Sequence, residues 1–460
     1  MNRIAWMSCL VALALAPAAC NRTPTEATPA AASTAPSAAA SAEAKVAAYT
    51  DQEISDAWIY LLGRLLVLRQ QKADLAEGWK WNTMIHRKPG AVDWPNPNLD
   101  VAYSEAWVAV DENSCTLVTV PKITGRYYTV QFLNGWGETV ANINERTQAA
   151  HPSGEFAVCL QGSNVKLPPN TTRIDVPVKN MRVLARVELG DNWDEAVALQ
   201  HKFAMRSTGT PTPPTLPAFP DFDTEHMPGV EAFEAAPAVL DSEKDINAGM
   251  ETLEAKARAI AEGIRDPTER ARVEKVIRDK GQADLAKAGA LIGHGTTKNG
   301  WVRPHAAGTY GDDWLGRTLV NLGGIWANRL DEVIYYKASM DGDGVQLNGD
   351  HTYTLTFPKD ALPPTFANYF WSVIAVDPIH ARVLPNPKNR FLLNRESGLK
   401  YGADGSLTLY FGPEKPADAP DSNWLPTPKG KDYRLTFRFY GPKGGVADGT
   451  YFPPPLVKRS

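Results

Sequence analysis

Short runs in which apolar and polar side chains alternate recur toward both ends of this chain, and they constrain its fold more than any other feature of the 460 residues. The clearest run is Tyr433 to Tyr440. Leu435, Phe437 and Phe439 fall on one side of it and Arg434, Thr436 and Arg438 on the other, the period of two of a strand with one face in a core. Similar runs precede it at Tyr353 to Phe357, Phe370 to Val376, Arg390 to Asn394 and Leu407 to Gly412. An earlier set lies at Tyr103 to Val110, Cys115 to Val120, Tyr127 to Leu133, Phe156 to Leu160, Thr172 to Val176 and Met181 to Leu189. Turn-forming clusters such as Asp111-Glu112-Asn113-Ser114 separate the runs. The expectation is a mainly β protein with a sandwich in residues 46–200 and a sandwich or jelly roll in residues 331–460.

Helical signals have their own places. Thr50 and Glu53 form a capping-box pattern before Ile54, Trp58, Leu61, Leu65 and Leu68, so an amphipathic helix is predicted from Asp51 to Asp74. Residues 201–330 begin with a Pro-rich stretch, Thr208 to Pro220, which reads as an extended crossing segment. From Asp241 to Ile292 the chain is rich in Ala, Glu, Lys and Arg, and Asp266-Pro267-Thr268-Glu269 carries a cap, a first-turn proline and an acidic residue. Two or three helices are expected there, with breaks at Asp266 and near Gly281.

The N-terminus reads as an address. Arg3 is followed by an apolar run from Ile4 to Ala16 and by small residues before Cys20, which makes residues 1–19 a signal peptide. The run is too short to span a bilayer, for which about 20 residues are needed. Leu15-Ala16-Pro17-Ala18-Ala19-Cys20 resembles a lipobox, although Pro17 stands where a larger aliphatic is usual; it makes Cys20 the expected lipid anchor. Each acyl chain contributes about 0.8 kcal/mol per buried CH2, so palmitate-type acylation would hold the protein at a membrane. Asn21 in place of Asp points to the outer membrane, facing the periplasm. Residues 20–45 are mostly Ala, Pro, Ser and Thr, a composition unable to offset ordering entropy, and read as a disordered tether.

Of the four cysteines, Cys9 leaves with the signal and Cys20 takes the lipid. Cys115 and Cys159 remain, and an oxidising compartment favours a disulfide between them. One of the 48 Lys and Arg residues leaves with the signal, so 47 face 52 Asp and Glu for a net charge of −5. With no basic block, nucleic acid is excluded as a partner. The sequence carries no signal for oligomeric state.

Many of the polar and aromatic residues resemble known family patterns. Asn98-Leu99-Asp100, Tyr103-Ser104, Trp107, Val120-Pro121, Gly125-Arg126-Tyr127-Tyr128, Gln131 and Arg146 resemble the domain of unknown function 1254. Asp341-Gly342-Asp343-Gly344, Leu347-Asn348-Gly349, Phe370-Trp371-Ser372, Asn386-Pro387, Arg390, Asn423-Trp424-Leu425-Pro426 and Arg438-Phe439-Tyr440 resemble the domain of unknown function 1214. The resemblance implies an immunoglobulin-like sandwich, a helical insertion and a jelly-roll-like C-terminal domain. It implies no reaction.

Common catalytic signatures are absent: there is no G-x-S-x-G, no H-E-x-x-H, no phosphate loop and no dinucleotide fingerprint. No metal or cofactor is expected. What remains is a set of loop residues on rigid strands, the usual setting of a binding site. Asp100, Glu138 and Arg146 are the candidate catalytic residues, as an acid/base pair beside an arginine or as a hydrogen-bonding clamp on a sugar. Asn98, Tyr103, Trp136, Trp371, Arg390, Asn423 and Trp424 are the candidate ligand contacts. If the two β domains face each other, these residues converge on one interdomain cleft for a glycan or small polar metabolite. A non-catalytic scaffold is the alternative.

Overall fold

In the computed structural model, residues 49–92, 94–290 and 295–459 are described, and they fall in one compact unit. The expected signal peptide, the expected tether and the expected lipid anchor Cys20 lie outside the described residues. The fold is mainly β with a helical insertion.

The first sheet runs in the order Ile85–His86, Val101–Ala109, Asn180–Glu188, Tyr128–Leu133, Thr139–Ile143, antiparallel throughout. The second runs Thr171–Val176, Gly154–Leu160, Thr116–Val120, Ala204–Ser207, its first pair parallel. Val108, Val118, Phe132, Phe156, Val158 and Val183 belong to the core that these sheets share. Cys115 and Cys159 are joined by a disulfide. They form a small apolar cluster with Leu117 and Ala157, residues paired across two neighbouring strands of the second sheet.

The C-terminal domain repeats the two-sheet plan. Its larger sheet runs Gly295–Lys298, Trp301–Pro304, Val333–Ala338, Arg434–Tyr440, Trp371–Val376, Leu392–Asn394. The smaller one runs Trp424–Pro426, Leu407–Gly412, Tyr353–Phe357, Val457–Lys458. Leu435, Phe437 and Phe439 point into the core between them, as the alternation requires. Strand pairing therefore begins at Gly295, well before the sequence pattern turns visibly β.

The helix Asp51–Ala76 starts on the expected box: the Glu53 N–H donates to Thr50 Oγ1 at 3.2 Å and the Thr50 N–H donates to Glu53 Oε2 at 3.0 Å. It is not amphipathic in its central turns, because every residue from Ala57 to Leu68 is buried. Helices Glu231–Ser242, Glu251–Gly263, Pro267–Val276 and Trp314–Gly323 pack around it, sharing Trp58, Leu61, Phe233, Ile260 and Val273 in one core. Gly63 permits the closest approach, since a Cβ there would stand 2.6 Å from Thr318 Oγ1. The break expected near Gly281 is instead a π-helical turn, Ile277–Gly281, that keeps the chain continuous and lays Gly281 against Trp58. No described helix is long and apolar enough to cross a membrane.

One consequence of this layering reaches the candidate site. The polar faces of Val101–Ala109 with Asn180–Glu188 and of Val333–Ala338 with Arg434–Tyr440 do not face water. Val101, Tyr127, Val333, Phe370 and Tyr440 pack together across the domain junction, and Arg186, Thr436 and Arg438 are each at most 2 % exposed.

Candidate functional site

The loop that enters Val101–Ala109 meets the C-terminal domain. Asn96 takes a left-handed conformation, φ +47°, which Asn tolerates better than most residues. From there its carbonyl accepts from Arg438 Nη2 at 2.7 Å and its side chain accepts from Thr436 Oγ1 at 3.0 Å. Asn98 Oδ1 accepts the Asp100 N–H at 3.0 Å, and Asn98 Nδ2 donates to the Tyr440 hydroxyl. This turn aims Asp100 at the junction. Asp100 Oδ1 accepts from Asn394 Nδ2 at 2.9 Å, and the Ser372 hydroxyl stands beside the carboxyl, although among the described residues Oδ2 makes no bond of good geometry. Burial pushes the Asp100 carboxyl above the usual carboxylate range, against the pull of the Ser372 and Asn394 donors.

A second carboxyl stands beside it. Glu188 is buried, accepts the Tyr127 N–H at 2.8 Å and Arg395 Nη2 at 2.6 Å, and is likewise pushed up by burial. Asp100, Glu188 and Glu396 line a cavity of about 250 Å3 whose apolar walls include Phe370, Leu392 and Trp193. Trp193, half exposed at the start of Trp193–Gln200, forms part of its wall.

The three candidate catalytic residues do not meet here. Arg146 Nη2 pairs with Glu332 Oε2 at 2.5 Å, and its Nη1 donates to Glu145 and to the Tyr369 hydroxyl, each at 2.7 Å. Its guanidinium also lies over the rings of Tyr127 and Tyr369. Its bonds to Glu332 and Tyr369 tie the N-terminal sandwich to the C-terminal domain, and those to Glu145 and the Tyr128 carbonyl brace it within its own domain. Glu138 sits apart, accepting from Asn247 Nδ2 at 2.6 Å and from the Tyr310 N–H at 3.1 Å. Arg317 approaches it at 3.5 Å and pairs more tightly with Asp245 at 2.6 Å. Burial pushes the Glu138 carboxyl up, opposed by Arg317. Asp100, Glu138 and Arg146 share no partner, so the single acid/base constellation is corrected to three separate neighbourhoods.

The candidate ligand contacts divide in the same way. Asn98 and Tyr103 lie at the junction, Tyr103 beside Arg186 with 5.4 Å from guanidinium carbon to ring centre. Trp136 is core: its Nε1 donates to the Glu243 carbonyl at 3.1 Å and its ring packs on Tyr60. Trp371 is buried against Phe437 inside the C-terminal sandwich. Arg390 pairs with Asp421 at 2.8 Å, Asn423 donates to the carbonyls of Lys400 and Thr408, and Trp424 Nε1 donates to the Gly412 carbonyl. These last three brace a C-terminal loop. Loop position together with a polar group suggested binding; the backbone hydrogen bonds that such loops need absorb those groups. Among the described residues no group of three His, Cys, Asp or Glu side chains converges as metal ligands would.

Sequence reasoning passed over Glu188, Asn394, Phe370, Arg186, Lys337 and Arg438 as site residues. For Arg186 and Glu188 the signal was present as charges alternating with apolar residues in Asn180–Glu188, a strand buried along its whole length.

Two family models match. Residues 81–207 match the model described as a protein of unknown function, DUF1254, and residues 332–444 match another described as a protein of unknown function, DUF1214. The chain carries both uncharacterised domains. The cavity at Asp100 lies where the DUF1254 domain, which holds Asp100 and Glu188, meets the DUF1214 domain, which holds Phe370 and Asn394. No curated protein matches the chain. A crystal structure of the VPA0106 protein from Vibrio parahaemolyticus is similar, with a TM-score of 0.61 at 20 % identity, over 89 % of this chain and 100 % of that one. A crystal structure of an uncharacterised protein from Burkholderia cenocepacia aligns over 89 % of this chain and 92 % of that one, at 12 % identity and a TM-score of 0.44. The first likeness shows that the two-domain fold is shared; neither speaks to activity.

Proposed function

We propose that this protein binds a small polar metabolite or a glycan end at the junction of its two β domains, and acts on it as a hydrolase- or lyase-like protein through Asp100. The observation that carries this reading is the 250 Å3 cavity lined by the buried Asp100 beside a second raised carboxyl, Glu188. A carboxyl raised by burial holds a proton to higher pH and is suited to donate it. Phe370 and Trp193 offer apolar faces of the kind that receive a sugar ring or a small carbon skeleton. A non-catalytic binding role is the second reading, favoured by the Asn394 to Asp100 bond, which makes the same carboxyl a tie between domains.

The test is a panel of mono- and oligosaccharides and small hydroxy compounds, scored by the melting temperature of the full chain and then by turnover. One ligand class is expected to raise Tm, with the shift lost in Asp100→Asn and Glu188→Gln. Tm unmoved by every class sinks the reading. A shift without turnover leaves the binding role.

We also propose that the protein is an envelope lipoprotein held to the outer membrane through Cys20. The lipobox-like segment and the tether composition support this, as does the disulfide, which suits an oxidising compartment. Cys20→Ser should abolish incorporation of labelled palmitate and move the protein to the soluble fraction. Retention of label in that variant overturns the anchor.

A further inference from the structure

Buried arginines in this protein ordinarily come with a carboxylate. Arg182 pairs with Asp74 at 2.7 Å, Arg317 pairs with Asp245 at 2.6 Å, and Arg64 has Glu243 beside it. Two depart from the rule. Arg186 is 2 % exposed; it donates to Gln131 Oε1 at 2.7 Å and to the Trp326 carbonyl at 3.2 Å and lies against Tyr103, with Nε unpartnered among the described residues and no carboxylate beside it. Arg438 is 1 % exposed and donates only to the Asn96 carbonyl, leaving Nε and Nη1 unpartnered. Among the described residues neither forms an ion pair. Asp100 is near enough to feel Arg438, yet it is not paired with it. A buried cation without a counter-charge is strongly destabilising, so two buried guanidiniums lacking a carboxylate call for an explanation.

The two guanidiniums come from facing sheets and share their surroundings. Tyr103 pairs in register with Arg186, and Tyr335 with Arg438. Tyr103 interacts electrostatically with both arginines, and Arg186 feels Tyr335 and Tyr440 across the junction. The phenols are oriented as donors. Tyr335 Oη accepts from Asn328 Nδ2 at 3.0 Å and Tyr440 Oη accepts from Asn98 Nδ2, so each hydroxyl keeps its own hydrogen to give. Lys337, two residues beyond Tyr335 on the same strand face, adds a third cation with no described carboxylate in ion-pair contact. Its ammonium is pushed down to about 8 by burial and then by Arg434 and Arg438, the mark of a locally uncompensated positive charge. Tyr103, Tyr335 and Lys337 each keep partial exposure to solvent.

We infer that the seam between the two β domains holds an anion site, in which Arg186, Arg438 and Lys337, with the hydroxyls of Tyr103 and Tyr335, bind the carboxylate or phosphate group of a small molecule. An oxyanion supplies the missing partners of both guanidiniums and accepts the phenol hydrogens. This site is separate from the Asp100 cavity, although Ser372, paired in register with Arg438, stands between the two.

The full chain is titrated calorimetrically with inorganic phosphate and with malonate, at ionic strength held constant with sodium chloride. Saturable binding of at least one probe is expected, and which probe binds tells phosphate from carboxylate recognition. Lys337→Met, which breaks no hydrogen bond or ion pair among the described residues and should fold normally, is expected to weaken that binding at least tenfold. Tyr335→Phe, which removes one hydroxyl, is expected to weaken it about threefold. No binding of either probe above the chloride control, or wild-type affinity in Lys337→Met, overturns the inference. Asp100→Asn separates this site from the cavity: retained anion binding supports it, whereas tenfold loss places the anion against Asp100 and overturns it.

Discussion

Changing Glu332 to glutamine removes one charge and no volume, and it tests whether the two β domains are held by the cluster that absorbs Arg146. Glu332 is 2 % exposed and accepts from Arg146 Nη2 at 2.5 Å, Arg146 Nε at 3.2 Å, Asn144 Nδ2 at 3.0 Å and the Tyr127 hydroxyl at 2.9 Å. Every one of those partners is a donor, so a glutamine amide turns its NH2 toward donors and leaves the guanidinium with Glu145, a more exposed carboxylate, as its remaining counter-charge. Breaking a fully buried pair from one side costs about 3–5 kcal/mol. The Arg146 side chain is 24 % exposed and recovers some hydration, which places the expected cost near the lower end, about 3 kcal/mol. Urea unfolding followed by tryptophan fluorescence reads it as a lower midpoint, and because two domains are being separated the loss should fall in the earliest transition. Arg146→Met combined with Glu332→Gln should recover more than half of the loss, a coupling of at least about 1.5 kcal/mol. A single-variant cost below about 1 kcal/mol, or a double variant as unstable as the sum of the two, refutes the clamp.

Three further outcomes follow from the packing and the charges. Gly63→Ala should cost about 1–3 kcal/mol through overpacking, since its Cβ would stand 2.6 Å from Thr318 Oγ1; the added Thr318→Ala change should return part of the loss in the same urea assay. Reducing the Cys115 to Cys159 bridge, which closes a sequence separation of 44, should cost at most about 4 kcal/mol by loop-closure entropy and appear as a fall in Tm with reductant that Cys115→Ser no longer shows. Asp100 and Glu188 carry folded-state pKa values raised above their unfolded ones, so each contributes stability that is full below about pH 4 and is lost as pH rises through the folded value. Asp100→Asn should therefore flatten the decline of Tm with rising pH above about 4, and an unchanged slope would show that the carboxyl is not strained by burial.

The strand runs at both ends were legible because side-chain alternation is a local property of an extended chain. Tyr353–Phe357 and Leu407–Gly412 begin and end where the pattern does. The capping box of the first helix was legible for the same reason. Less visible were Glu231–Ser242, which carries Pro237 inside it, and Trp314–Gly323, whose helical character is sustained by burial against the first helix. Of the candidate residues, Asp100, Asn98 and Tyr103 were singled out from their loop and strand positions, and the structure places them at the domain junction. Glu138 and Arg146 were drawn into the same cleft because a loop carboxylate and a loop arginine look alike from the sequence whether they meet a ligand or each other's domain.

Arg434–Tyr440 shows where the division falls. Its sequence alone determined that Leu435, Phe437 and Phe439 would share one face and Arg434, Thr436 and Arg438 the other, because a strand turns successive side chains to opposite sides. Water was the simplest neighbour for the charged face. Tertiary structure decided otherwise by laying the N-terminal sheet over it, so that Thr436 and Arg438 are buried and Arg438 faces the neighbourhood of Arg186 from another domain. Alternation reports that two faces differ; what covers each face is settled by packing between segments hundreds of residues apart, which no local pattern encodes.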